Sequence, residues 1–228
     1  MLLARCVRRS VPTVRRLSTA AAHVDIAAYQ RDGYCVPDWR LPADRLLAAR
    51  AALDGLLESN PEVMPEQLVN AHLVSGGGAV RGQREFLELA SMPAIAEMVA
   101  ACLGTDNVIL WACQVFCKQP HTGKSVPWHQ DGQYWPIEPL RAVTAWIALD
   151  RSDETCGGMQ VVPGTHASGA PMRHVVRDDP GAAISFVADP DLLDGGTDET
   201  SLIATSRNLT LDPSDLAARL HAAPRLRS

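Results

Sequence analysis

The texture of this chain changes once, near residue 106, and that change limits the possible folds more than any other feature. Upstream, apolar residues recur with helical spacing. Residues 41–57 open on Pro42, suited to a first helical turn, and place Leu46, Ala49, Leu53, Leu56 and Leu57 on one face before Asn60-Pro61 ends the run. A second helix is expected from Ser91 as N-cap, with Pro93 in its first turn and Ile95, Met98, Val99 and Cys102 at i, i+3, i+4 and i+7; Gly104 stops it. Residues 59–84 between them, with Pro61, Pro65 and Gly76-Gly77-Gly78, read as irregular and mobile. Gly33-Tyr34-Cys35-Val36-Pro37 reads as a strand entering a turn. Downstream, residues 107–118 (NVILWACQVFCK), 143–149 (VTAWIAL) and 158–162 (GMQVV) are rich in β-branched and aromatic residues, with Pro, Gly and Asp between them. Short strands without intervening helices imply an antiparallel core, a sandwich or jelly roll. The expected class is therefore mainly β with flanking helices.

At 228 residues and 46% hydrophobic, the chain suffices for one compact domain. No apolar run approaches the length of a membrane-spanning helix. The five arginines of residues 1–24 (Arg5, Arg8, Arg9, Arg15, Arg16) meet no acidic residue; without them, 21 basic against 26 acidic residues become 16 against 26. A body that acidic repels phosphate backbones, so a nucleic-acid partner is not expected. The six cysteines are scattered without a CxxC pair, which suits buried thiols in a reducing compartment.

Residues 1–24 read as a targeting presequence or a disordered basic tail, leaving 25–228 as a single domain: helical over 25–105, a β core over 106–188 and a divergent tail over 189–228. The Arg-rich, acid-free composition suits a mitochondrial transit peptide. The alternative is peroxisomal, because Arg16-Leu17, five residues, then His23-Val24 resembles an N-terminal peroxisomal signal with Val24 as a departure.

The chemistry concentrates in Val126-Pro127-Trp128-His129-Gln130-Asp131-Gly132-Gln133-Tyr134-Trp135. On a strand, side chains at i and i+2 share a face, so the His129 imidazole and Asp131 carboxylate would point into one space. One neutral nitrogen and one anionic oxygen make two of the three ligands of a facial iron(II) site. The competing reading is a His and an Asp that only bond each other or solvent. Gln114, Phe116 and Lys118 alternate on the preceding strand, and Trp146 shares a face with Thr144 and Ala148 on the following one.

The run Lys118 … Trp128-His129-Gln130-Asp131 … Ala145-Trp146-Ile147-Ala148-Leu149 … Cys156-Gly157-Gly158-Met159-Gln160-Val161-Val162-Pro163-Gly164-Thr165-His166, with Asp32-Gly33-Tyr34 upstream, resembles the phytanoyl-CoA dioxygenase family over roughly residues 25–175. That resemblance implies a double-stranded β-helix (a cupin-like jelly roll), iron(II), 2-oxoglutarate as co-substrate and dioxygen. It further implies an oxidoreductase acting on a small-molecule or acyl-CoA substrate. Carried over residue by residue, it makes His129 and Asp131 the catalytic metal ligands, Trp146 a wall of the 2-oxoglutarate pocket and Gln114 a co-substrate contact. Trp146 has core packing, and Gln114 backbone satisfaction, as their plainer roles. His166 belongs to a turn that is structural in the family, Lys118 receives no role, and His121 and His174 are expected in solvated polar loops.

The tail departs from the family pattern. A late Gly-Asp, a distal iron histidine and a 2-oxoglutarate arginine are expected there. Ser214-Asp215 stands for the first, Arg225 falls near the place of the histidine, and His221 is the one histidine beyond residue 174. Asp212-Pro213 and the following Leu-Ala-Ala-Arg-Leu-His-Ala-Ala favour a helix where the family has a strand. The closing strands of the β-helix are thus expected to be missing, with His221 as the candidate third ligand. Two readings of different class follow: a dioxygenase, or a truncated, impaired homologue acting as a binding or regulatory module. A metal-binding cupin of other chemistry is a weaker third. Oligomeric state is not legible.

Overall fold

The computed structural model describes residues 2–6, 20–75, 80–192 and 200–201. Four α-helices carry the N-terminal half. Helix α1 (Ile26–Asp32) opens at Asp25, whose carboxylate accepts the Ala28 N–H at 2.9 Å, and closes at Gly33 in the left-handed region (φ 85°). Helix α2 (Ala43–Ser59) follows Pro42 as expected and buries Leu46, Ala49, Ala52 and Leu56. Helix α3 (Arg84–Ala90) is too short for its apolar spacing to stand out in the sequence. It explains a correction at Ser91: that N–H bonds the Leu87 carbonyl at 2.9 Å, so Ser91 closes α3 rather than opening the next helix. Helix α4 (Pro93–Leu103) starts at Pro93 and ends on Gly104 (φ 64°).

Strands β1 (Leu2–Cys6), β2 (Leu68–Val69), β3 (Val108–Val115) and β4 (Ala142–Ala145) form one sheet in the order β2-β3-β1-β4. Strand β5 (Gln160–Val161) pairs with β8 (Thr200–Ser201), and β6 (His174–Val176) with β7 (Phe186–Ala188). Every pair among these strands is antiparallel, as the strand spacing implied. The weight of the fold differs from expectation: α-helices hold more of the described residues than strands do, so "mainly β" gives way to a mixed α and β body. One four-stranded and two two-stranded sheets do not by themselves compose a jelly roll. The physical reason lies in pairing length. Strand β4 stops at Ala145, opposite Leu2, and β3 stops at Val115, opposite Leu68, because an unpartnered extended segment gains no ladder hydrogen bonds. Residues 33–37, expected as a strand, have no ladder and form a loop between α1 and α2.

Strand β1 lies within residues 1–24 and sits between β3 and β4, pairing with both. Ala20, Ala21 and Val24 are buried, so the folded body also includes residues just before Asp25. The tail from 202 onward, with Arg225 and His221, and the Gly-rich 76–79 stretch lie outside the described residues. One hydrophobic cluster runs from α2, α3 and α4 into β3 and β4. Phe86, Leu56, Leu68 and Ile95 are its largest fully buried side chains, each stabilising the fold by about 1.5–3 kcal/mol through apolar burial.

Candidate active site

Two motifs far apart in sequence hold the site's frame. The His166 ring lies against the α-carbon of Gly33: a Cβ there would stand 2.5 Å from His166 Nδ1, and the backbone is left-handed. His166 Nε2 donates to the Gln30 carbonyl at 2.9 Å, and the Gly164 N–H donates to the Asp32 carbonyl at 2.8 Å. Asp32-Gly33-Tyr34 and Pro163-Gly164-Thr165-His166 are therefore one joint, and His166 is spent on it. Lys118 also has a structural partner, donating from Nζ to the Gly157 carbonyl at 2.9 Å.

Gln130 is the second clamp. Its side-chain nitrogen donates to the Thr165 carbonyl at 3.1 Å, and its oxygen accepts the Met172 N–H at 2.6 Å. Its own backbone N–H donates to His174 Nε2 at 3.0 Å, while His174 Nδ1 donates to the Met172 carbonyl at 2.8 Å. His174 thus corrects an expectation. It is a buried strand residue with both ring nitrogens engaged, packed edge-on to Tyr134 (6.4 Å between centroids) and against Phe186 (5.5 Å). Tyr134 donates its hydroxyl to the Phe186 carbonyl and stands edge-on to His129 at 5.9 Å.

His129 and Asp131 flank this clamp. Neither is on a strand: Asp131 opens a one-turn 3-10 helix (Asp131–Tyr134), and the chain before it is irregular. The two side chains converge nonetheless, His129 Nε2 standing 3.2 Å from Asp131 Oδ1. Gln130 between them is extended (φ −114°, ψ 122°), which preserves the i, i+2 relation without a sheet.

The hydrogen bonding fixes the protons. His129 Nδ1 lies 2.8 Å from the Pro127 carbonyl, which only accepts, so Nδ1 carries a hydrogen. In the neutral ring the Nε2 lone pair then faces a carboxylate oxygen. Two acceptors at 3.2 Å need a cation between them, either a proton on Nε2 or a metal ion. Burial disfavours the charged ring, but the Asp131 and Pro127 hydrogen bonds and the Asp131 charge outweigh it and raise the His129 pKa. A metal ion satisfies the same geometry. Adjacent positions on an octahedral ion with bonds of about 2.1 Å lie about 3.0 Å apart, close to the observed separation. Thr144 donates its hydroxyl to Asp131 Oδ2 at 3.2 Å and so leaves Oδ1 turned toward His129.

Asp131 and Trp146 line a cavity of about 720 Å³, and the continuous loop 33–41 forms part of its wall. Three of the five tryptophans, Trp39, Trp135 and Trp146, face it. His129 lines a smaller cavity of about 170 Å³ that shares Gln130 and Tyr34 with the larger one. Gln114, on β3 opposite Val69, is not part of either wall. The pair fits two ligand positions; among the described residues no group of three or more His, Cys, Asp or Glu side chains is placed to hold one ion. Sequence reasoning missed Thr144, Gln130 and the 33–41 wall. Thr144 had a signal, since it shares the Trp146 face of its strand.

A profile of the family described as Phytanoyl-CoA dioxygenase (PhyH) matches residues 29–207. Among curated proteins, the chain is 31% identical over 153 residues to "L-proline trans-4-hydroxylase" of Streptomyces griseoviridis, covering 62% of this chain and 54% of that protein. It is 26% identical over 157 residues to "Probable phytanoyl-CoA dioxygenase" of Caenorhabditis elegans, covering 60% and 50%. Against "Phytanoyl-CoA dioxygenase, peroxisomal" of Bos taurus it is 31% identical over 86 residues, covering 36% and 25%. The chain thus spans between a quarter and about half the length of these relatives. No solved structure matches it. With the family profile covering well over half of its residues, the chain belongs to the phytanoyl-CoA dioxygenase (PhyH) family.

Proposed function

We propose that this chain is an iron(II)- and 2-oxoglutarate-dependent dioxygenase that hydroxylates a small molecule or the acyl part of an acyl-CoA. The observation that carries the reading is the His129–Asp131 pair. An Nε2 lone pair and a carboxylate oxygen, each oriented by a separate hydrogen bond, face one another at 3.2 Å beside an aromatic-walled cavity. When bound, iron and 2-oxoglutarate supply the activation of dioxygen for C–H hydroxylation. The chain's own residues do the positioning. His129 and Asp131 hold the ion, Thr144 fixes the carboxylate, and Gln130 ties the segment between them to Thr165 and Met172. Trp39, Trp135 and Trp146 keep water from the cavity and favour an apolar substrate face. The position of Trp146 on that wall supports its role at the co-substrate; Gln114 has no comparable support.

The names of the relatives point to oxygenation of small molecules of unlike size, which suits a substrate class wider than one acyl-CoA. The word "peroxisomal" in one of them supports the peroxisomal alternative over the mitochondrial one. A carboxy-terminally tagged chain expressed in cells, scored against markers for both organelles, tests that.

Succinate release from the chain supplied with iron(II), 2-oxoglutarate and dioxygen tests the function. Turnover lost at least 100-fold in Asp131→Ala is the expected result; no succinate from the wild-type chain, even uncoupled from substrate, overturns it. The absence of a three-ligand group among the described residues favours a second reading, a catalytically silent binding module. That reading is supported if 2-oxoglutarate and a divalent ion bind without succinate release.

A further inference from the structure

One rung of the β6–β7 hairpin reaches both peptide units that flank His129. His174, the first residue of β6, stands opposite Ala188, the last residue of β7. The Trp128 carbonyl, part of the peptide unit before His129, accepts the Ala188 N–H at 2.8 Å. The Gln130 N–H, part of the peptide unit after His129, donates to His174 Nε2 at 3.0 Å. A peptide unit is planar, so a directed bond to one of its atoms limits the rotation of the whole unit. The first bond runs from main chain to main chain, and any residue at 188 except proline can make it. The second depends on the side chain at 174 alone.

We propose that His174 is a positioning residue for the metal pair: its Nε2 lone pair holds the His129–Gln130 peptide plane, and thereby the facing of the His129 and Asp131 side chains. This role rests on the reading that the pair holds a divalent ion. A closed circuit of three hydrogen bonds suits an imidazole to it. His174 Nδ1 donates to the Met172 carbonyl at 2.8 Å, and the Met172 N–H donates to Gln130 Oε1 at 2.6 Å. The circuit thus runs from Gln130 to His174 to Met172 and back to Gln130. The Met172 carbonyl only accepts, so Nδ1 carries the hydrogen; the Gln130 N–H only donates, so Nε2 keeps its lone pair. The neutral ring in that one tautomer fits both neighbours.

Packing keeps the ring in place. His174 is buried, with Phe186 at 5.5 Å and Tyr134 edge-on at 6.4 Å between centroids, and Tyr134 in turn stands edge-on to His129 at 5.9 Å. Without the Nε2 acceptor, the part-buried Gln130 N–H has to turn toward water or another acceptor. That turn changes the His129 ψ and the Gln130 φ, which now stands at −114°. The 3.2 Å approach of His129 Nε2 to Asp131 Oδ1 depends on both angles. His174 acts through Gln130 and not on the ion, since both of its ring nitrogens are committed.

The test is a manganese(II) titration of the full chain and three variants, read by electron paramagnetic resonance of the free ion beside their melting temperatures. His174→Leu removes both polar atoms. His174→Asn keeps a donor at the δ position for Met172 but no acceptor at ε, and His174→Gln keeps an acceptor at ε. His174→Leu and His174→Asn should weaken affinity by about 10–100-fold, the usual cost of losing a group that orients a metal ligand, and His174→Gln should keep most of it. A merely structural role would make affinity follow melting temperature and treat His174→Asn and His174→Gln alike; that result overturns the proposal. Unchanged affinity in His174→Leu overturns it too and leaves the oxygenase reading standing, whereas a wild-type chain that binds no ion overturns both. Nitrogen-15 NMR of the metal-free wild-type chain decides the matter even where a variant fails to fold. It should show His174 protonated at Nδ1 alone, a coupling across the hydrogen bond from the Gln130 N–H to Nε2, and slow exchange of that amide. A proton on Nε2, or fast exchange of the Gln130 amide, overturns the proposal.

Discussion

At the scale of single residues, the site is a set of orientations. Asp131 needs Thr144 to hold one carboxylate oxygen, so Thr144→Val, which keeps the shape and removes the donor, should weaken divalent-metal affinity by about 10-fold with little loss of stability. A manganese titration of the two chains checks this; equal affinity would show that Thr144 does not position the carboxylate. His129 sets a pH dependence. Its raised pKa means that, without metal, the His129–Asp131 contribution to stability is full below the ordinary histidine value and is lost as pH rises through the raised one. Metal binding runs the other way, since it needs the Nε2 lone pair, and should strengthen over that same rise. Melting temperature and metal affinity of wild type and His129→Gln, followed across this range, should diverge in those opposite directions. Gly33→Ala should destabilise the fold by about 1–3 kcal/mol, because a side chain at φ 85° is strained and would also strike the His166 ring. Urea denaturation measures it; an unchanged midpoint would mean that the joint between the two motifs is loose.

The convergence of His129 and Asp131 was legible because it needs only one extended residue between them, and Gln130 supplies it. Its setting was not legible. A 3-10 turn at Asp131 depends on pairing partners that single-segment patterns do not show. His174 reads as a loop residue by composition, yet Gln130 and Met172 draw it into the interior.

At the scale of elements, helices α2 and α4 were legible because a proline at the start, a stop signal at the end (Asn60-Pro61 for α2, Gly104 for α4) and apolar periodicity all agreed. The strands were legible as stretches but not in length, since length is set by the partner. Strand β1 is the sharpest case: an Arg-rich opening reads as an address, yet Leu2–Cys6 pairs with β3 and β4 at once. Strand β4 carries Thr144 and leads into Trp146, so β1 supports the site's wall by pairing alongside β4. Deleting residues 1–6 would leave two sheet edges unpaired, and should lower the melting temperature by at least about 4 °C. An unchanged melting temperature would place β1 outside the cooperative fold.

At the scale of the whole molecule, helices α2 to α4 and the large sheet share one core, and the cavity lies where the 33–41 loop, β4 and the Asp131 turn meet. Everything functional rests on that meeting point holding a divalent ion. The most direct measurement is anaerobic manganese(II) titration followed by electron paramagnetic resonance of the free ion, with and without 2-oxoglutarate. One equivalent should bind, more tightly with 2-oxoglutarate present, and binding should be lost in both His129→Ala and Asp131→Ala. No bound ion, or binding that neither substitution changes, would contradict the site.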